Sequence, residues 1–119
     1  MIVGMKMIHL NKALAGKHYG AHRDKPFFTG LVDFITSSPI IAIALEGSNV
    51  VDVVRNTMGQ TNPSSAQPGT IRGDLGVDIG RNLVHGSDSP SSAIEELALF
   101  FSDSELISYE KNVQPWITE

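Results

Sequence analysis

Apolar and polar positions change period along the chain, and each change marks an expected element. Residues 1–10 alternate partly and are rich in Ile, Val and Met, which suits a strand. Asn11 is placed to cap a short helix over 12–19 that Gly20 would end, and the polar stretch 21–26 reads as a loop. From Phe27 onward the apolar residues fall at Phe27, Phe28, Leu31, Phe34 and Ile35. That spacing of three and four makes one face of a helix, closed by Ser37-Ser38-Pro39. Ile40 to Leu45 is an unbroken aliphatic run and predicts a buried strand. Gly47 and Ser48 then turn the chain into a helix over 49–58, with Val50, Val51, Val53, Val54 and Met58 apolar.

Periodicity breaks over residues 59–82, where Gly59, Gly69, Gly73, Gly76 and Gly80 are joined by Pro63 and Pro68. A loop this long inside a small domain is usually functional or disordered. Its non-repetitive sequence, with Ile71, Leu75, Val77 and Ile79 spaced through it, favours an ordered functional loop with a helical turn near 70–75. Leu83-Val84-His85 predicts a brief strand. Pro90 suits the first turn of a helix over 90–101, where its missing N–H costs nothing. Ala93, Ile94, Leu97, Ala98 and Phe101 would form the inner face of that helix. After Ser102 the pattern predicts a short turn and then an extended segment through Trp116.

Composition narrows the class. At 119 residues, with 41% hydrophobic and 18% charged residues, the chain is expected to be one domain spanning 1–119. A net charge of −4 argues against broad binding to nucleic acid or an anionic membrane, and no specific nucleic-acid partner is predicted. The absence of cysteine removes disulfide scaffolds, thiolate metal sites and cysteine nucleophiles. No apolar run reaches the length of a membrane span, and the opening segment does not read as a signal peptide, so a cytoplasmic protein is expected.

The densest local signal for chemistry is Asn82-Leu83-Val84-His85-Gly86-Ser87-Asp88. A histidine followed by glycine has backbone space in front of it, and an imidazole is a competent nucleophile near neutral pH. It needs a second group to orient the ring through its other nitrogen, and Glu95 or Glu96 on the following helix could supply it. Taken alone, such a histidine is more often an ordinary surface or core side chain. Arg55, Arg72 and Arg81 lie on or beside the glycine-rich loop, where guanidinium groups suit phosphate. Taken singly, each arginine is more often a solvated side chain.

Neither a P-loop nor the dinucleotide glycine pattern is present. His18 and His22 have the spacing of two helical metal ligands, but Gly20 lies between them and a loop begins there, so a surface role is expected and no protein-held metal is assigned. Phe27 and Phe28 stand at a helix start, where one should enter the core and the other could offer a face for stacking.

Together these segments resemble a family. NLVHGSDS is similar to the active-site signature of nucleoside diphosphate kinases, N-x-x-H-G-S-D. KPFFTGLVDFITSSPIIAIALEG resembles their nucleotide-gripping helix and following strand, and GQTNPSSAQPGTIRGDLGVDIGRN their long phosphate-enclosing loop. The resemblance runs from residue 1 to 119 in the family's order. It implies an α+β fold, a ferredoxin-like βαββαβ antiparallel sheet with helices packed on it.

The resemblance also implies an activity and a set of roles. The γ-phosphate of a nucleoside triphosphate would pass to a nucleoside diphosphate by a ping-pong route through a phosphohistidine at His85. Mg2+ would arrive bound through the nucleotide phosphates. Phe27 would stack on the base, with Leu31 and Ile79 closing the apolar slot. Arg55, Thr61 and Arg72 would hold the phosphates, and Asn82 the sugar hydroxyl. Glu96 would orient His85, with Tyr19 and Ser87 in support. Assembly as a homo-oligomer, a hexamer or tetramer, is implied as well.

The resemblance departs at the N-terminus. Family members begin with a strand carrying a Lys-Pro-Asp segment and a helix, ahead of the strand that MIVGMKMIHL matches. In that topology the absent first strand lies in the sheet's interior, and its lysine reaches the transferring phosphate. The expectation is therefore a domain lacking its first strand and helix. The alternative is a truncated, non-catalytic relative that binds nucleotide or serves assembly.

Overall fold

Partial alternation in the first ten residues becomes strand β1, Ile2–Ile8, which pairs antiparallel with β2, Ile40–Leu45. The register sets Met5 opposite Ile43 and Met7 opposite Ile41. The computed structural model describes residues 1–119, which divide into two units: 1–46 with 97–119, and 47–96.

In the first unit, helix α1 (Lys12–His18) starts where expected because Asn11 Oδ1 accepts from Leu14 N–H at 2.8 Å. Such a cap is worth about 1 kcal/mol. Helix α2 (Phe28–Ile35) buries Val32 and ends at Thr36, whose hydroxyl turns back to the Val32 carbonyl at 2.8 Å. The core of this unit gathers Leu10, Ala15, Val32, Ala44 and Phe101. Gly4 packs tightly: a Cβ there would lie 3.1 Å from the Phe101 ring, 3.2 Å from Glu105 O and 3.2 Å from Leu106. The C-terminal segment runs along β1, with Ile107 N–H donating to Val3 O at 2.8 Å and the Tyr109 hydroxyl to Ile2 O at 2.7 Å.

β2 does not have the burial its sequence predicts. Ala44 is buried, but Ile41 and Ile43 are about half exposed, as are their neighbours Met5 and Met7 or more so. An apolar run marks both faces as alike, and here only the face carrying Gly4 and Ala44 is packed.

The second unit opens with helix α3, Val50–Met58, which buries Met58 and stops at Gly59, whose φ of +85° suits glycine. Residues 59–82 form an ordered loop carrying helix α4, Ile71–Leu75. Side chains hold it: Asn62 Oδ1 accepts from Ser64 N–H, Thr70 Oγ1 from Gly73 N–H, Asp74 Oδ1 from Gly69 N–H and Asp78 Oδ1 from Gly80 N–H. These groups satisfy backbone donors that no regular element serves.

Helix α5 is Pro90–Phe100, its residues to Glu96 in the second unit and its last turn in the first. Ile94, expected on its inner face, is 70% exposed. Residues 83–85 are not a strand. Leu83 has a φ of +75°, and Val84 N–H closes a tight turn on Asn82 O at 2.9 Å. The tail is extended after Asp103–Glu105, but Gln114–Trp116 forms a 3₁₀ turn instead of continuing extended. The architecture is α+β, and no helix is long and apolar enough to cross a membrane.

Candidate active site

The second unit brings most of the expected site residues together. His85 follows the turn at Leu83, and its Nε2 lies 2.9 Å from Glu96 Oε1. The other carboxylate oxygen, Oε2, accepts from the Ser87 hydroxyl. Of the two glutamates offered by α5, Glu96 is therefore the partner. A carboxylate accepting from Nε2–H selects the tautomer whose lone pair is on Nδ1. His85 is half exposed and Glu96 largely covered, so the orienting group is the more shielded of the two.

Gly86 is held tightly. A Cβ there would fall 2.6 Å from Met58 Sδ and 3.4 Å from Val54 Cγ1, so the chain beside His85 packs directly on α3.

Arg72 is buried, and its Nε, Nη1 and Nη2 donate to the carbonyls of Asn82, Gly59 and Val84. Burial pulls its pKa down first, and the charge of Arg55 lowers it further. Arg55 itself is exposed near the end of α3, open to an anion. Asn82 Nδ2 donates to Thr61 O at 3.0 Å, which joins two more of the expected residues. Ile79 is 56% exposed in the 3₁₀ turn before Asn82.

Tyr19, Phe27 and Leu31 belong to the first unit. Tyr19 caps the C-terminal end of α1, with its ring beside that of His18. Phe27 is 50% exposed and Leu31 half-buried, one helical turn apart at the start of α2. Lys25 Nζ lies 5.6 Å from the Phe27 ring centroid and the His22 ring 5.8 Å from it. Of the two adjacent phenylalanines, Phe27 is the one that offers an exposed face.

Sequence reasoning gave the Asp88 side chain no role of its own. Asp88 Oδ1 accepts from the Ser92 hydroxyl at 2.7 Å. That bond is the largest cause of its lowered pKa, with Ser89 and the charge of Arg55 adding to it. The signal was the four-residue spacing from Asp88, just before α5, to Ser92 in its first turn.

A family model described as nucleoside diphosphate kinase matches residues 1–106. The chain belongs to the nucleoside diphosphate kinase family. A nucleoside diphosphate kinase of Carboxydothermus hydrogenoformans is 55% identical over 118 residues, covering 99% of this chain and 79% of the relative. One from Archaeoglobus fulgidus is also 55% identical, over 99% of this chain and 78% of its own. Among solved structures, the halophilic nucleoside diphosphate kinase of Halobacterium salinarum in complex with CDP superposes with a TM-score of 0.96. It is 47% identical, over 99% of this chain and 79% of that one. The α+β, ferredoxin-like fold of nucleoside diphosphate kinases is thus the fold of this chain, and the family is one of phosphotransferases.

Proposed function

We propose that this chain transfers the γ-phosphate of a nucleoside triphosphate to a nucleoside diphosphate, with His85 as the phosphoryl carrier. The observation that carries the reading is the His85–Glu96–Ser87 chain, which directs Nε2 at a carboxylate and leaves nucleophilic character at Nδ1. The comparisons do not favour the non-catalytic alternative. In the first half-reaction Nδ1 bonds to the γ-phosphorus as the bond to the β–γ bridging oxygen breaks, and the nucleoside diphosphate leaves with that oxygen. In the second, a terminal oxygen of another diphosphate takes the phosphoryl group and restores the imidazole. The intermediate makes the kinetics ping-pong. Glu96 stabilises the charge that the ring gains, and Ser87 fixes the carboxylate.

Arg55, Thr61 and Arg72 are the proposed phosphate contacts, and Asn82 the contact to the sugar hydroxyl. Phe27 is proposed to stack on the base, with Leu31 and Ile79 beside it and Tyr19 in a supporting role. Stacking reads a π-face, so tolerance for several bases follows. The family works generally with a divalent metal. The residues suit one carried on the substrate, since both Glu96 oxygens and Asp88 Oδ1 already accept from protein donors. We assign Mg2+, bound through the nucleotide phosphates, where it would neutralise charge during transfer.

We further propose a single functional domain over 1–119, a cytoplasmic location, and assembly as a hexamer or tetramer. Exposed Met5, Met7, Ile41 and Ile43 support an assembly, and analytical ultracentrifugation tests it. The transfer itself is tested by incubation with ATP and magnesium. An acid-labile phosphoryl adduct that maps to His85 supports the reading, and a folded protein that never forms one rejects it.

A further inference from the structure

Arg72 is the one buried charged side chain, 6% exposed, and its guanidinium is committed before any nucleotide arrives. Nε donates to Asn82 O at 3.1 Å, Nη1 to Gly59 O at 3.1 Å and Nη2 to Val84 O at 2.6 Å. Two of those carbonyls flank Leu83, whose φ of +75° is a conformation that residues with a Cβ adopt only at a cost. The third belongs to Gly59, where α3 ends. Val84 N–H closes on Asn82 O within the same turn, and His85 is the next residue.

We infer that Arg72 is a positioning residue for His85: its planar fork holds the left-handed turn at Leu83 and so keeps the imidazole aligned with Glu96. The inference rests on His85 being the nucleophile and goes beyond a phosphate contact for Arg72. Three carbonyls in three directions suit a guanidinium, whose donors radiate from separate nitrogens. An ammonium brings three donors from one atom and cannot reach them all. Without the cation the part-buried carbonyls of Gly59 and Val84 would lose this donor, and Asn82 O would keep only Val84 N–H. Burial lowers the Arg72 pKa, and the guanidinium is nonetheless held by three charge-assisted bonds to backbone carbonyls. Leu83 is 56% exposed, so its unusual conformation is held by this backbone network more than by packing of its own side chain.

The test compares the full chain with Arg72→Lys, Leu83→Val, and Arg72→Lys combined with Leu83→Gly. Each is assayed for kcat and KM with ATP and a nucleoside diphosphate. The His85 ring is followed by nitrogen NMR without nucleotide. Arg72→Lys keeps the charge but should lower kcat by about 10- to 100-fold, the scale of a misplaced reacting group, with the smaller change in KM. Its His85 Nε2 signal should lose its hydrogen-bonded character. Glycine at 83, free to adopt positive φ, should recover part of kcat and of that signal in the double variant. Leu83→Val strains the turn with Arg72 intact and should reproduce the kcat defect, which keeps the test decisive if Arg72→Lys does not fold. The inference is overturned if Arg72→Lys raises KM alone with an unchanged His85 spectrum. It is also overturned if glycine rescues nothing, or if Leu83→Val matches the wild type. Should wild-type His85 never be phosphorylated, the proposed function fails instead, while the NMR comparison still judges the positioning claim.

Discussion

Glu96 shows how much one carboxylate can decide. One oxygen meets His85 Nε2 and the other accepts from Ser87, so the ring is held by a group that is itself held. Glu96→Gln should lower phosphoryl transfer by about 10- to 100-fold, because its amide keeps the shape without the charge that supports an imidazolium-like transition state; steady-state kinetics reads this. Gly86→Ala should destabilise by about 1–3 kcal/mol in urea denaturation, since the new methyl would meet Met58 Sδ at 2.6 Å. Asp88 has a pH signature. Its pKa lies below the ordinary 3.8, chiefly through Ser92, so its contribution is present above the unfolded value and lost as pH falls through the folded one. Asp88→Asn should therefore reduce the loss of thermal stability between about pH 4 and the acid limit, measured by melting across pH. His85 and its glycine were legible because they are contiguous. Spacing alone left Glu95 and Glu96 open, since adjacent residues on a helix differ only in the direction they face, and the family resemblance pointed to Glu96. The burial of Arg72 was equally hidden, because its partners are carbonyls ten or more residues away.

Elements with a local cause were read directly. Asn11 starts α1, Pro90 opens α5, and α4 appears at Ile71–Leu75 where a turn was expected. The order of the loop over 59–82 also has a local cause, because Asn62, Thr70, Asp74 and Asp78 each accept a nearby backbone N–H. Thr70 does two jobs, accepting from Gly73 N–H and donating to Gln67 O at 2.6 Å. Thr70→Ala should cost about 1 kcal/mol of stability, and faster hydrogen exchange at Gly73 would locate the loss. Where an element depends on distant partners, sequence pattern misled. Leu83-Val84-His85 has strand-like residues, but the Asn82 and Val84 carbonyls on either side of Leu83 are taken by Arg72 and the chain turns at Leu83. β2 reads as buried because its residues are apolar on both faces, although only one face is packed.

For the whole molecule, periodicity and composition reached a chain of mixed helices and strands without cysteine chemistry, and the α+β class itself came with the family resemblance. The step to phosphoryl transfer came from several long motifs standing in one family's order. Family relatives identical at 55% over 99% of the chain agree with that step. Of the residues proposed for the function, Tyr19, Phe27 and Leu31 lie in one unit and Arg55, Thr61, Arg72, Ile79, Asn82, His85, Ser87 and Glu96 in the other. Base stacking and phosphate binding are expected to be separable. Phe27→Ala should weaken nucleotides of every phosphate number by a similar factor, about 10-fold or more, whereas Arg55→Ala should weaken triphosphates most, as read by calorimetric titration. The most direct test of the central claim is the intact mass of the protein before and after brief exposure to ATP and magnesium, alongside His85→Ala. A gain of one phosphoryl group that a nucleoside diphosphate then removes, and that the variant never shows, is the predicted result. No gain in the folded wild-type protein, or an equal gain in His85→Ala, would contradict it.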